Sequence, residues 1–206
     1  MTNLRYPIVI PPHVQAARAA ALRVGFGLVA GEGDNGTACL TEFGPMLAVL
    51  AAMKPAARIA ELGTGVGVGT AWLLSGMTPG STITTVEIDA QRAAIAAELF
   101  ADQSNIDVIV GDWRDVLPAI APFDLVFLDG GYAAELDENR RTCLIDLVAI
   151  GGVLILDDVT PEEYWPKAWQ GQRDQKREFA LRDDRLLSSE FRVTNREGGL
   201  LCVRIR

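Results

Sequence analysis

Between residues 57 and 158 the chain alternates short apolar runs with stretches of helical periodicity, and few folds accommodate that pattern. The runs "ARIAEL" (57–62), "TITTVEI" (82–88), "IDVIVG" (106–111), "FDLVFLD" (123–129) and "GGVLILDD" (151–158) read as five strands. Helices are predicted between them over roughly 68–77, 90–101, 112–119 and 133–149. Short apolar runs alternating with helices make βαβ units, and hence a parallel sheet. The end of the chain differs. "LLSSEFRVTNREGGLLCVRIR" holds two alternating β-runs around an "NREGG" turn, a hairpin that closes the sheet. The predicted fold is α/β: a single Rossmann-like doubly wound sheet of five parallel strands, helices on both faces, plus a C-terminal hairpin with one antiparallel strand.

The segment ahead of this pattern is organised differently. Residues 1–12 are extended and punctuated by proline, and "HVQAARAAALRVGFGLVA" reads as a helix that fails at Gly25 and Gly27. "GEGDNGTACLTEFG" is a loop by its Gly, Asn and Asp content. A second helix is bracketed by Thr41 as N-cap and Pro55 as stop. Residues 1–36 are therefore predicted to be an N-terminal arm and helix, and 37–206 the main domain. The arm carries Ile8, Val9, Ile10, Leu22, Val24 and Phe26, which need a partner surface on the same domain or on a second subunit. A homodimer is expected.

Composition narrows the partners. No apolar run reaches the ~20 residues that span a bilayer, and the N-terminus lacks a signal-peptide layout, so no membrane association is expected. Cys39, Cys143 and Cys202 are far apart and odd in number. They read as buried thiols in a reducing cytoplasm. A net charge of -8 argues against long nucleic acid, which calls for a basic surface.

The loop "ELGTGVGVGT" (61–70) follows the first of the five strands, so it lies off their carboxyl ends, where open α/β sheets bind ligands. A tight strand-to-helix turn alone would explain its glycines. Two ligands compete for it. A dinucleotide fingerprint requires G-x-G-x-x-G. Counted from Gly63 the third glycine is Val68, and counted from Gly65 it is Thr70. Glu61 would also place negative charge beside a pyrophosphate. A ligand carrying an amino group and a sulfonium reverses that sign, and S-adenosylmethionine is such a ligand. Glu87 ends the second strand about 20 residues beyond the glycines, where a carboxylate can bind ribose hydroxyls. Asp112, in "GDWRDVLP", follows the third strand and can accept from an adenine amino group, with Trp113 covering the adenine face. Asp112 serves equally well as the N-cap of the helix after it.

The motifs "AELGTGVGVGTAWLL", "TVEID", "GDWRDVLP", "FDLVFLDGG" and "GGVLILDD" resemble, in order and spacing, those of class I S-adenosylmethionine-dependent methyltransferases. The similarity is greatest to small O-methyltransferases, the group of catechol and caffeoyl-CoA O-methyltransferase and their bacterial relatives, and it runs from about Thr41 to Arg206. The resemblance implies methyl transfer to a hydroxyl of a small-molecule acceptor. It assigns Glu61, Gly63, Thr64, Gly65, Gly67, Glu87, Ile88, Asp112, Trp113 and Asp129 to the cofactor. It also implies a divalent cation such as Mg²⁺ held by Asp129, Asp157 and Asp158, which cluster at adjacent strand tips and would otherwise repel. Two positions depart from the family: Asp158 stands where the pattern has Asn, and Asp129-Gly130-Gly131-Tyr132 lacks the lysine often cast as base. Asp129 is the candidate base in its place. His13 reads as a surface or cap residue, and Tyr132 as packing.

Residues 160–179 follow Asp158 directly and are expected to arch over the site. Trp165 and Trp169 are spaced to share a helical face, either packed on the domain or walling a planar acceptor. The competing functions are a tRNA nucleoside methyltransferase, an NAD-binding oxidoreductase and a cofactor-binding protein without catalysis.

Overall fold

The computed structural model describes residues 7–29, 32–129 and 137–206. Seven strands form one sheet in the order β3-β2-β1-β4-β5-β7-β6. They are β1 (Arg58–Leu62), β2 (Thr82–Glu87), β3 (Ile106–Val110), β4 (Phe123–Leu128), β5 (Val148–Val159), β6 (Leu186–Arg192) and β7 (Gly198–Arg204). The first five are parallel, and β7 runs antiparallel to both β5 and β6. This is the predicted architecture, with β7 as the one reversed strand.

Strand order sets the position of any ligand. From β1 the chain moves outward to β2 and β3, then returns to β4 on the other side of β1. A crevice opens at such a reversal, at the carboxyl ends of the strands. The two loops leaving β1 and β4 carry the glycines and Asp129.

Among the described residues seven α-helices cover the two faces: α1 (Pro12–Arg23), α2 (Gly44–Ala52), α3 (Val68–Gly76), α4 (Ala90–Leu99), α5 (Trp113–Val116), α6 (Glu138–Asp146) and α7 (Gln175–Arg182). Successive residues of a strand point to opposite faces. Ile59 accordingly joins a core with Val14, Leu47 and Trp72 from α1, α2 and α3, whereas Ala60 and Leu62 join another with Trp113, Leu144 and Phe179. Aspartate caps start four helices, Asp89 for α4, Asp112 for α5, Asp137 for α6 and Asp174 for α7, each accepting from backbone N–H groups of the first turn.

Three boundaries differ from the sequence expectation. The helix predicted over 133–149 is seen as Glu138–Asp146, its earlier part lying outside the described residues, and β5 begins at Val148. The β-branched run there pairs with Phe123, and Gly151, at φ +80°, kinks the strand where its register to β4 shifts. The arm packs on its own domain: Phe26 is buried, and Ile8, Ile10 and Val24 lie against the α1–α3 core. Val9 and Leu22 remain exposed. The segment 160–174 holds a 3₁₀ turn (Glu162–Tyr164) and no α-helix before α7, so Trp165 and Trp169 do not share a helical face.

Candidate active site

Two adjoining cavities lie at the carboxyl ends of the strands. The smaller, about 440 Å³, is walled by the glycine loop (Gly63, Thr64, Gly65), by Glu87 and Ile88, and by Asp129. The larger, about 650 Å³, is walled by Asp157, Asp158, Lys176 and both tryptophans. Asp129 and Asp158 line both.

The glycine loop is built by contacts that exclude other residues. Gly63, at φ +96°, lies so close to the next strand's tip that a Cβ would stand 1.9 Å from the main-chain oxygen of Asp129. Gly65, at φ +54°, is the opposite case: nothing lies within 4 Å of its Cβ position, which opens into the smaller cavity. Glu87 fixes the loop. Its Oε2 accepts from the Gly65 N–H at 2.8 Å and its Oε1 from the Asp89 N–H at 2.9 Å. Each oxygen keeps a second lone pair, so this carboxylate, only 6% exposed at the cavity wall, can still accept from two hydroxyls.

Glu61, expected at the cofactor, stands beneath the glycine loop. It is completely buried and lines neither cavity. Its Oε2 accepts from Thr85 Oγ1 at 2.7 Å and from Thr70 Oγ1, while Oε1 has no partner among the described residues. That orphan oxygen sits under Gly69, where a Cβ would be 2.3 Å away. Desolvation pushes the Glu61 carboxyl up to about 7. Gly67 is also a support, turned towards the ring of Phe100 rather than a cavity.

Asp112 and Trp113 line neither cavity. The Arg114 side chain holds the Asp112 carboxylate, with Nε 2.8 Å from Oδ1, and the same oxygen caps α5. That interaction keeps Asp112 below the usual carboxylate range. Trp113 is buried in the second core. The capping alternative is the one seen.

At the tips of β4 and β5 the three aspartates share a wall but not a coordination site. Among the described residues no three His, Cys, Asp or Glu side chains stand together as a metal-holding group. Asp158 has φ +57° and donates its N–H to Asp157 Oδ1 at 2.7 Å, which engages the partner carboxylate. The cation found there is Lys176, from the first turn of α7. Burial raises Asp157 to about 7 and Asp129 well above its ordinary range, with the neighbouring carboxylates adding to both.

Several wall residues were absent from the sequence expectation. Thr37, Ala38 and Cys39 line both cavities, carried there by a loop that bridges back to Gly27. Arg92 and Phe26 line the smaller one, with the guanidinium 4.9 Å from the ring centroid. Trp165 and Trp169 form an edge-to-face corner, centroids 6.4 Å apart at 82°. Trp165 is held by its Nε1 donating to the Thr160 carbonyl at 2.8 Å and by Arg177 over its ring. Both indoles wall the larger cavity.

The sheet order, the glycine loop at the tip of β1 and the buried acid at the tip of β2 together make the ligand crevice expected of the sequence. Residues 60–159 match the family described as a methyltransferase domain. Two relatives each called "Putative O-methyltransferase" are similar in sequence. One, from Mycobacterium sp. (strain JLS), is 35% identical over 128 residues, covering 59% of this chain and 54% of the relative. The other, from Mycolicibacterium vanbaalenii, is 33% identical over 150 residues, covering 69% and 61%. The chain thus spans about half to three fifths of these relatives' lengths. In fold it resembles the O-methyltransferase TomG of Streptomyces achromogenes in complex with SAM (TM-score 0.75, 20% identity, 97% of this chain and 92% of that one). It also resembles the O-methyltransferase of Bacillus cereus in complex with SAH (TM-score 0.71, 21% identity, 96% and 93%). Over residues 60–159 the chain is similar to this methyltransferase-domain family, and over nearly its whole length it shares the fold of these solved structures. Among the described residues no helix is long and apolar enough to cross a membrane, and the three cysteines are free thiols.

The raised carboxyls carry a stability consequence. In the unfolded chain Glu61 titrates near the ordinary glutamate value of 4.5, and in the folded protein near 7. A raised folded pKa means the native state binds the proton more tightly. Its stabilising contribution is complete below 4.5 and is lost as pH rises through 7. Asp157 and Asp129 act in the same direction. The ligand-free protein should therefore lose stability between about pH 5 and 8. Glu61→Gln, which fixes the neutral form, should remove up to about 3 kcal/mol of that loss. Calorimetric unfolding of both proteins across this window checks it, and parallel pH profiles would count against it.

Proposed function

We propose that this chain transfers a methyl group from S-adenosylmethionine to a hydroxyl of a small-molecule acceptor, with the smaller cavity taking the cofactor and the larger one the acceptor. The observation that carries the reading is the wall they share: Asp129 faces both cavities, so it can reach a hydroxyl brought up to the donor.

The smaller cavity suits the cofactor. The open space at Gly65 admits a ligand against bare backbone, the buried Glu87 offers acceptors for ribose hydroxyls, and exposed Ile88 beside it offers an apolar surface for a base. Thr64 supports the loop through its hydroxyl contact with Thr85. When bound, S-adenosylmethionine supplies an electrophilic methyl group on a sulfonium. Transfer to a hydroxyl forms an O–C bond, breaks an S–C bond whose electron pair stays on sulfur, and releases the hydroxyl proton. Asp129 takes that proton in this reading, and its raised pKa makes it a stronger base than an ordinary aspartate. Holding the reacting oxygen in line with the donor is where most of the barrier reduction for such a displacement originates.

Titration calorimetry with S-adenosylmethionine and with NAD tests the cofactor, and labelled methyl donor offered to phenols, catechols, aliphatic alcohols and tRNA tests the acceptor. Binding of NAD in preference to S-adenosylmethionine would overturn the reading, as would methylation of tRNA alone. The protein is also proposed to form a homodimer through its N-terminal side, where Val9 and Leu22, with Val49 and Met53 of α2, leave large apolar side chains exposed. Light scattering at micromolar concentration should give twice the chain mass; a monomer would rule this out.

A further inference from the structure

Lys176 is only 9% exposed, yet it walls the larger cavity together with Asp129, Asp157 and Asp158. A lysine is rarely buried unless it is paired. Its Nζ donates to the main-chain carbonyls of Asp157 and, at 3.3 Å, of Asp158. These are two acceptors for three N–H groups, so one remains for a molecule in the cavity. Burial pushes the Lys176 ammonium below its ordinary range, and the nearby carboxylates of Asp158, Asp157, Asp174 and Asp129 oppose that shift. A divalent cation placed among the same aspartates would meet this fixed positive charge. The donor set therefore does not fit a metal, and the cation of the site belongs to the chain itself. The same cavity is walled by the corner of Trp165 and Trp169, an edge-to-face pair whose faces accept a flat ring.

We propose that Lys176 is a catalytic residue: its ammonium donates a hydrogen bond to the acceptor oxygen, taking the place of a divalent cation, while the tryptophan corner seats the acceptor's ring, so that the acceptor is an aromatic hydroxyl. This deepens the methyl-transfer reading above and rests on it. As the phenolic proton passes to Asp129 and the oxygen bonds the methyl carbon, the negative charge on that oxygen develops against the ammonium. The lysine stays protonated throughout and exchanges nothing. A positioned donor of this kind accelerates transfer because the charge it serves is larger in the transition state than in the free phenol.

The test uses the whole chain, S-adenosylmethionine with a labelled methyl group, and a panel of simple phenols, catechols and aliphatic alcohols. Wild type should methylate members of the aromatic set, and turnover should be unchanged in EDTA and unaffected by added Mg²⁺. Lys176→Met should lower kcat about 100-fold, while calorimetry finds S-adenosylmethionine binding as tight as in wild type. Lys176→Arg, which keeps the charge and the donors, should recover part of the loss. Turnover abolished by EDTA and restored by Mg²⁺ overturns the proposal without any variant, so a misfolded Lys176→Met cannot shelter it. Methylation confined to aliphatic alcohols, or to none of the panel while S-adenosylmethionine binds, also overturns it. Failure of wild type to bind S-adenosylmethionine would instead remove the underlying methyl-transfer reading.

Discussion

Gly65→Val should bind S-adenosylmethionine at least 100-fold more weakly than wild type, a loss of about 3 kcal/mol, while remaining folded. The two halves of that result have separate causes. Nothing lies within 4 Å of the Gly65 Cβ position, so the protein itself has room for the new side chain. The left-handed backbone there, at φ +54°, costs a branched residue about 1–2 kcal/mol, which a domain of ordinary stability tolerates. The space the valine fills is the cavity in which ligand would meet backbone. Gly63→Ala is the contrasting control. Its Cβ would stand 1.9 Å from the Asp129 carbonyl, so even one methyl forces the tips of β1 and β4 apart and the fold should suffer. Calorimetric binding set beside thermal unfolding separates the two variants. Tight binding by Gly65→Val would mean that the glycine loop is only a turn and that the cofactor lies elsewhere.

How much of this was legible follows from where each signal resides in the chain. The five strands and the glycine loop carry local signals, namely a continuous apolar run and residues that alone tolerate positive φ. The sheet followed from them because parallel strands joined by helices have few ways to assemble. Glu61 shows the limit. Its position beside the glycines was plain, but strand period decides which face it serves, and that period puts it with Ile59, under α3. Asp112 carried two compatible roles in sequence, of which the cap is seen, its carboxylate also held by the Arg114 side chain. Lys176 was not legible at all. It lies eighteen residues beyond Asp158, and it reaches the site only because residues 160–174 fold back over the tip of β5 before α7 begins. The loop bearing Thr37 and Cys39 was hidden for the same reason, since it belongs to no strand and is placed by its bridge to Gly27. Trp165 and Trp169 were correctly marked as a pair, though a turn, not a helix, brings them together.

Asp129→Asn should lower kcat by about 10²–10⁴-fold, the range expected when a general base is removed, with cofactor affinity changed by less than about threefold, under 1 kcal/mol. The substitution keeps the side chain's size at the wall shared by the two cavities, so neither ligand should lose its seat. What it removes is the ability to take a proton. Burial, Asp157, Asp158 and Glu61 raise the Asp129 pKa, and Lys176 opposes them. In wild type, turnover should therefore climb with pH as Asp129 gives up its proton and becomes able to accept the acceptor's. That limb should be absent in the Asn variant, whose amide does not titrate. The pH profile is the discriminating measurement, because a merely structural Asp129 would lower activity at every pH without erasing the limb. An Asn variant that keeps its kcat would assign the proton to water, leaving Asp129 as wall and charge only.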